Sequence, residues 1–157
     1  MDLLPFFKWC DNLAVSNAIR DSRYLFPIIE SLHILALTVL LGSVVVCSLR
    51  MFGFGLKSMT VAEVAGALEA FRTVSLILIL VTGFLLYSSE AVKCYENPPF
   101  WVKMKLLAAA LVFQYTVVRW AVSPEREIGR PLASAVAILW IGLWVGVGVG
   151  GRAIGFY

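Results

Sequence analysis

Charge and reactive side chains are scarce in this chain. Charged residues make up 15% of its 157 residues, there is a single histidine, and the three cysteines, Cys10, Cys47 and Cys94, are scattered without a CxxC pair. So little charge excludes a soluble globule, which needs more polar cover. One histidine excludes a transmembrane wire of two bis-histidine haems within one chain. Three dispersed cysteines give no disulfide framework; a Cys10–Cys94 bridge and three free thiols both stay open. Met1, Met51, Met59 and Met104 are equally dispersed, so no Cys/His/Met cluster for copper forms. Nothing resembles a hydrolase triad, a phosphate loop or a zinc motif. The formal charge of +3 does not point to nucleic acid, because the basic residues fall at helix ends where they meet lipid headgroups.

What is abundant is apolar length, at 61% hydrophobic residues. A membrane span needs roughly 20 apolar residues at 1.5 Å rise each, and the stretches 24–49, 73–92, 101–122 and 132–151 qualify. The chain is predicted to be all-α: one integral membrane four-helix bundle over residues 1–157, with the lipid bilayer as its first partner. Residues 1–22 lack the basic start, short apolar core and small-residue cleavage site of a signal peptide, so this segment is expected to be retained. Its apolar face, including Leu3, Phe6, Phe7, Trp9, Cys10 and Ile19, predicts an amphipathic helix lying in the interface.

The connections carry local signals. Thr60 with Glu63 three residues later predicts a capping box and a short helix reaching Ala70. Residues 94–100, with Asn97-Pro98-Pro99, are expected to form a turn that aims the third span. Ser123-Pro124 and Arg130-Pro131 bracket a charged hairpin. Orientation stays open, because Lys8, Arg20, Arg23, Lys93, Lys103, Lys105 and Arg152 on one side nearly balance Arg50, Lys57, Arg72, Arg119, Arg126 and Arg130 on the other.

In an up-down bundle, polar groups gather at the end where the first and third spans begin. His33 lies about 12 Å below a helix start near Leu25, with Glu30 on the same face. Ionisable groups at this depth are costly and usually functional. The pair can share a proton, hold the imidazole in one tautomer for a metal, or simply tie helices together. Of Lys103 and Lys105, which diverge by about 200° around a helix, the deeper Lys105 is expected to face inward. Gly142, Gly146 and Gly150 form a small-residue face suited to close helix packing or a homo-oligomer contact. The same face admits a planar ring, with Trp140 and Trp144 as walls. Arg50 closes the first span as an anion-binding group or an interfacial anchor.

The run Ser22, Pro27, Glu30-Ser31-Leu32-His33, Gly42, Leu49-Arg50, Gly53, Thr82-Gly83-Phe84, Tyr95-Glu96-Asn97, Phe100 and Lys103 to Leu107 resembles an uncharacterised family of small bacterial four-helix membrane proteins. That resemblance implies a multi-pass protein of the bacterial inner membrane and brings no established activity. More distantly, the layout is similar to the J-type protoporphyrinogen oxidases, which bind haem b, and loosely to the copper-resistance D membrane domain. It implies His33 as the haem-iron ligand and only metal ligand, Lys105 as a second functional side chain, and Arg50 as a partner at the far end. With one histidine, a six-coordinate iron needs Met104, Lys105 or a second copy of His33; otherwise it is five-coordinate.

Three functions follow from these residues. The first is a membrane redox protein binding one haem b or a quinone near His33, as an oxidoreductase or the membrane anchor of one. The second is a partner or assembly subunit, joined to a membrane or redox protein. The third is a carrier for a proton, metal or small molecule, using Glu30 and His33.

Overall fold

The computed structural model describes residues 3–56, 58–125 and 128–156. Among these the chain is all helical, and four helices are long and apolar enough to cross a membrane. Two short helices, α1 (Leu4–Asp11) and α2 (Ala14–Asp21), precede α3 (Leu25–Met51). The short α4 (Val61–Ala67) leads into α5 (Glu69–Ser89) and α6 (Ala91–Glu96). The third span is α7 (Pro98–Phe113), a π-helical turn (Gln114–Val118) and α8 (Arg119–Ala121); the fourth is α9 (Arg130–Ile154).

The spans run a few residues longer or earlier than hydropathy alone marks, because helices continue into the interface until a local stop. Leu68 merges α4 into α5, so the second span begins at Glu69 and ends where Glu90 leaves helical geometry (φ −136°, ψ 35°). Thr60 and Glu63 do form the expected capping box. Residues 94–100 are not a plain turn. α6 fills Ala91–Glu96, and Asn97 then caps α7, its side chain accepting from the Phe100 amide while the prolines occupy the first turn, where their missing N–H costs nothing. Arg126 and Glu127 of the charged hairpin, Lys57, and Met1 and Asp2 lie outside the described residues.

The main core cluster runs along the bundle and includes Leu40, Val44, Cys47, Ala137, Trp140 and Trp144. Both tryptophans are 0% exposed. Their indole N–H groups donate to one acceptor, Gln114 Oε1, at 3.2 and 3.0 Å. The widened π turn begins at this residue, the only place where the third span's backbone departs from α geometry.

The amino-terminal segment is two helices with a break at Asn12 and Leu13, not one. Its inner face packs on the bundle: Phe7 and Cys10 join Ala91, Cys94 and Phe100 in a second cluster. Arg20 ties the elbow down through the Ser89 carbonyl (3.1 Å) and Asp11 (3.0 Å). Phe6 and Trp9 remain 53% and 60% exposed and stack on each other. The segment thus keeps an outward apolar face for the headgroup region while its other face is docked.

Candidate functional site

His33 sits on the inner face of α3, half-buried at the seam with α5, and its Nδ1 lies 2.8 Å from Thr82 Oγ1. Thr82 Oγ1 also approaches the Leu78 carbonyl at 2.5 Å. A carbonyl only accepts, so the one hydroxyl hydrogen goes to Leu78 and the oxygen must accept from His33 Nδ1–H. That places a proton on Nδ1, so any ligand would be met through Nε2. Beside the ring lies Gly83, where an added Cβ would come within 3.1 Å of His33 Cε1, so the bare backbone there makes room for the imidazole.

Glu30 does not serve this histidine. It is exposed, and no hydrogen bond joins it to His33 among the described residues. The two share a helical quadrant, but a carboxylate is less costly at the headgroup level than unpaired in a dry seam, so it turns outward. The tautomer is therefore set by Thr82, not by the carboxylate.

The two lysines are reversed relative to the sequence expectation. Lys103 faces the bundle and Lys105 is exposed. The inward stripe of α7 is Phe100, Lys103, Leu107, Ala110 and Gln114, spaced three and four apart as a packed helix face requires, and Lys105 falls off it. Lys103 lies along a glycine bed on α9: a Cβ at Gly150 would meet its Cβ at 3.2 Å, and one at Gly151 its Nζ at 3.4 Å. Lys103 forms no ion pair among the described residues. The Lys103 ammonium lies within electrostatic range of the His33 ring, and one turn beyond Gly83 on α5 the Tyr87 hydroxyl is buried beside Cys10. The ring of Tyr87 stacks on Phe100 with centroids 5.5 Å apart.

The remaining candidates are dispersed. Met104 is 42% exposed and turned away from the bundle. Arg50 is spent on its own loop, its Nε donating to the Met59 carbonyl at 2.6 Å. A Cβ added at Gly146 would meet Leu106 at 3.3 Å and one at Gly150 would meet Lys103 at 3.2 Å, whereas one at Gly142 would meet open space. The glycine face is thus filled largely from within the chain by α7, and Trp140 and Trp144 are core residues committed to Gln114, not walls of a slot.

The structure therefore brings together His33, Thr82, Gly83 and Lys103 at one end of the bundle, with Tyr87 one turn further along α5, and among the described residues the Lys103 ammonium forms no hydrogen bond or ion pair. Sequence reading missed Thr82 and the inward Lys103. Both stand on inward stripes, Ser75, Ile79 and Thr82 in α5 and Phe100, Lys103, Leu107 and Ala110 in α7, and their spacing of three and four was the signal available.

No match was found among curated proteins or among solved structures. The profile of DUF6644, a family of unknown function, matches residues 6–157, and the chain belongs to that family.

Proposed function

We propose that this protein is a membrane redox component that binds one quinone or one haem b at His33, as an oxidoreductase or the membrane anchor of one. The observation that carries this is the hydrogen bond from His33 Nδ1–H to a Thr82 hydroxyl already committed to Leu78. Ligating histidines typically donate their other ring N–H in this way, which fixes the tautomer and raises the basicity of the free nitrogen.

For haem b the chain would offer one ligand, His33 Nε2; Met104 and Lys105 point away, and the Gly146–Gly150 face is filled, so no second ligand and no slot between α7 and α9 are offered among the described residues. A haem here supplies one-electron chemistry, with His33 holding the iron. A quinone uses more of the site. His33 Nε2 would accept from a ring hydroxyl and Lys103 would donate to a ring oxygen, so that these residues would hold and orient the ring, while the redox chemistry would be the quinone's own. An apolar groove of about 200 Å³ on the α3–α5 seam, bordered by Leu32, Ala36, Ser75 and Leu78, lies just below the His33–Thr82 bridge and suits an isoprenoid tail. A carrier built on Glu30 and His33 loses its support, since that pair is not assembled.

The test is an oxidised-minus-reduced visible spectrum of protein purified in mild detergent, followed by organic extraction and chromatography. A Soret band with shifting α and β bands identifies haem. A colourless preparation that releases a stoichiometric quinone identifies the second cofactor. Loss of either in His33→Ala, with helical content unchanged, is expected. Protein carrying neither after expression in cofactor-replete cells, or a His33→Ala variant that keeps its full complement, overturns the proposal.

A further inference from the structure

Where the second span ends, the amino-terminal elbow packs against it and leaves a polar cavity of about 250 Å³, lined by Asp11, Arg20, Ser89, Glu90, Val92 and Lys93. Arg20 holds the frame of this cavity. Its Nη1 donates to the Ser89 carbonyl at 3.1 Å and pairs with Asp11 Oδ2 at 3.0 Å, while Nη2 donates to the Asp11 carbonyl at 2.6 Å and to Asn17 Oδ1 at 2.5 Å. At the start of α6, Lys93 Nζ pairs with Glu90 Oε1 at 2.5 Å. Beyond these contacts each carboxylate has a second oxygen and the Lys93 ammonium two further hydrogens.

These charged groups differ in depth. The side chains of Asp11 and Glu90 are 26% and 44% exposed against 77% for Lys93, so the carboxylates lie inside and the ammonium at the mouth. The two cations and two anions of the lining sum to zero, which favours a ligand carrying both signs over a simple anion or cation. No third carboxylate, histidine or cysteine joins the two acids among the described residues, so the set is short of a divalent-metal site. The cavity stands at headgroup level: α5 ends at Ser89, α3 begins at Leu25, and α1, which ends at Asp11, turns the exposed Phe6 and Trp9 outward. A lipid at this level presents its polar end to the cavity and leaves its acyl chains outside.

We propose that this cavity binds the zwitterionic headgroup of a phospholipid with a primary ammonium, the chemistry of phosphatidylethanolamine. In such a lipid the ammonium is the terminal group, and the phosphate lies between it and the acyl chains. Entering headgroup first, the lipid sets its ammonium against Asp11 and Glu90 and its phosphate against Lys93, which matches the depth of these side chains. A primary ammonium brings three N–H donors to the two carboxylates. A trimethylammonium brings none, so a choline lipid forgoes these bonds. The exposed Lys93–Glu90 pair is weakly held and can open to admit both charges of the ligand. None of these residues belongs to the site at His33.

The full chain, purified and delipidated in a maltoside detergent, provides the test. Thermal unfolding is followed by tryptophan fluorescence while short-chain phosphatidylethanolamine, phosphatidylcholine or phosphatidylglycerol of one acyl length is titrated, with glycerophosphoethanolamine as the chainless form. A ligand of the folded state raises Tm saturably. The expected result is a saturable rise with phosphatidylethanolamine at a midpoint about tenfold below that of phosphatidylcholine, the usual effect of one hydrogen bond to a charged group. Glu90→Gln keeps the size of the side chain and removes its charge, and is expected to remove most of that preference. Lys93→Gln, at the exposed mouth, is expected to weaken both lipids alike, since both carry the phosphate, and to leave the preference intact. The ligand-free Tm of each variant reports folding separately. Equal midpoints for the ethanolamine and choline lipids, a stronger response to phosphatidylglycerol, an undiminished preference in Glu90→Gln or an unchanged response in Lys93→Gln overturns the proposal. A response to glycerophosphoethanolamine equal to that of the lipid assigns a soluble compound and overturns the lipid assignment.

Discussion

At the scale of single residues, the chemistry of this protein turns on which hydrogen goes where. Thr82 has one hydroxyl hydrogen, and giving it to Leu78 decides the protonation pattern of His33 across the seam. Thr82→Val keeps the volume and removes the hydroxyl, leaving Nδ1–H without that acceptor and freeing the ring to rotate. The bundle is expected to fold, and affinity for the cofactor bound at His33 to fall by about 10- to 100-fold, the usual cost of losing such a supporting contact. Equilibrium titration of the extracted protein with the identified cofactor checks this; an unchanged affinity would remove Thr82 from the site. His33 was legible in the sequence because a lone ionisable residue in an apolar run stands out. Thr82 was not, because its role depends on a partner 49 residues away in the chain.

Among elements, two local devices shape the bundle. The first is the π turn at Gln114, where one amide oxygen serves two indoles. Gln114→Leu would leave two buried N–H donors unsatisfied, at about 1–3 kcal/mol each, and is expected to lower Tm with a shift in tryptophan emission. An unchanged Tm would mean that the indoles find other acceptors. The second is the α4 capping box, where Glu63 Oε2 accepts from the Thr60 amide at 2.6 Å and from its hydroxyl at 3.0 Å. These bonds favour the carboxylate and hold Glu63 below its usual range. A carboxyl whose folded pKa is depressed stabilises the helix above its unfolded value near 4.3 and loses that contribution as pH falls through the folded pKa. Amide protection across Val61–Ala67, taken relative to the intrinsic exchange rate at each pH, should therefore fall in acid in the natural chain and show no such acid step in Glu63→Gln. The capping box was fully legible, since its two residues sit three apart. The Gln114 network was not, since nothing local announces which far residue a mid-span glutamine will meet.

For the whole molecule, the amino-terminal helices are both docked and outward-facing, and Phe7 is the anchor, with its ring against Tyr87, Tyr95, Phe100 and Trp101. Burial there pushes the Cys94 thiol up to about 11. A thiol raised in the folded state contributes stability fully below its unfolded value near 8.5 and loses it as pH climbs toward the folded pKa. Phe7→Ala, costing about 3–5 kcal/mol, is expected to undock α1, so that Cys10 and Cys94 react with a maleimide at pH 8 while Cys47 stays protected. Equal protection of Cys10 and Cys94 in both proteins would mean that α1 is held by other contacts. The sequence by itself determined the all-α class, the four spans, the capping box and the importance of His33, because hydropathy, helical period and i to i+3 spacing are local properties. It misjudged the inward lysine, since depth along a helix does not set its facing; the glycine bed of α9 and the buried stripe of α7 do. Only the tertiary structure decided that Lys103 turns inward, that Glu30 turns out, and that Thr82 fixes the imidazole. Each of these depends on which helix faces it, and packing between helices is settled by all of their side chains at once.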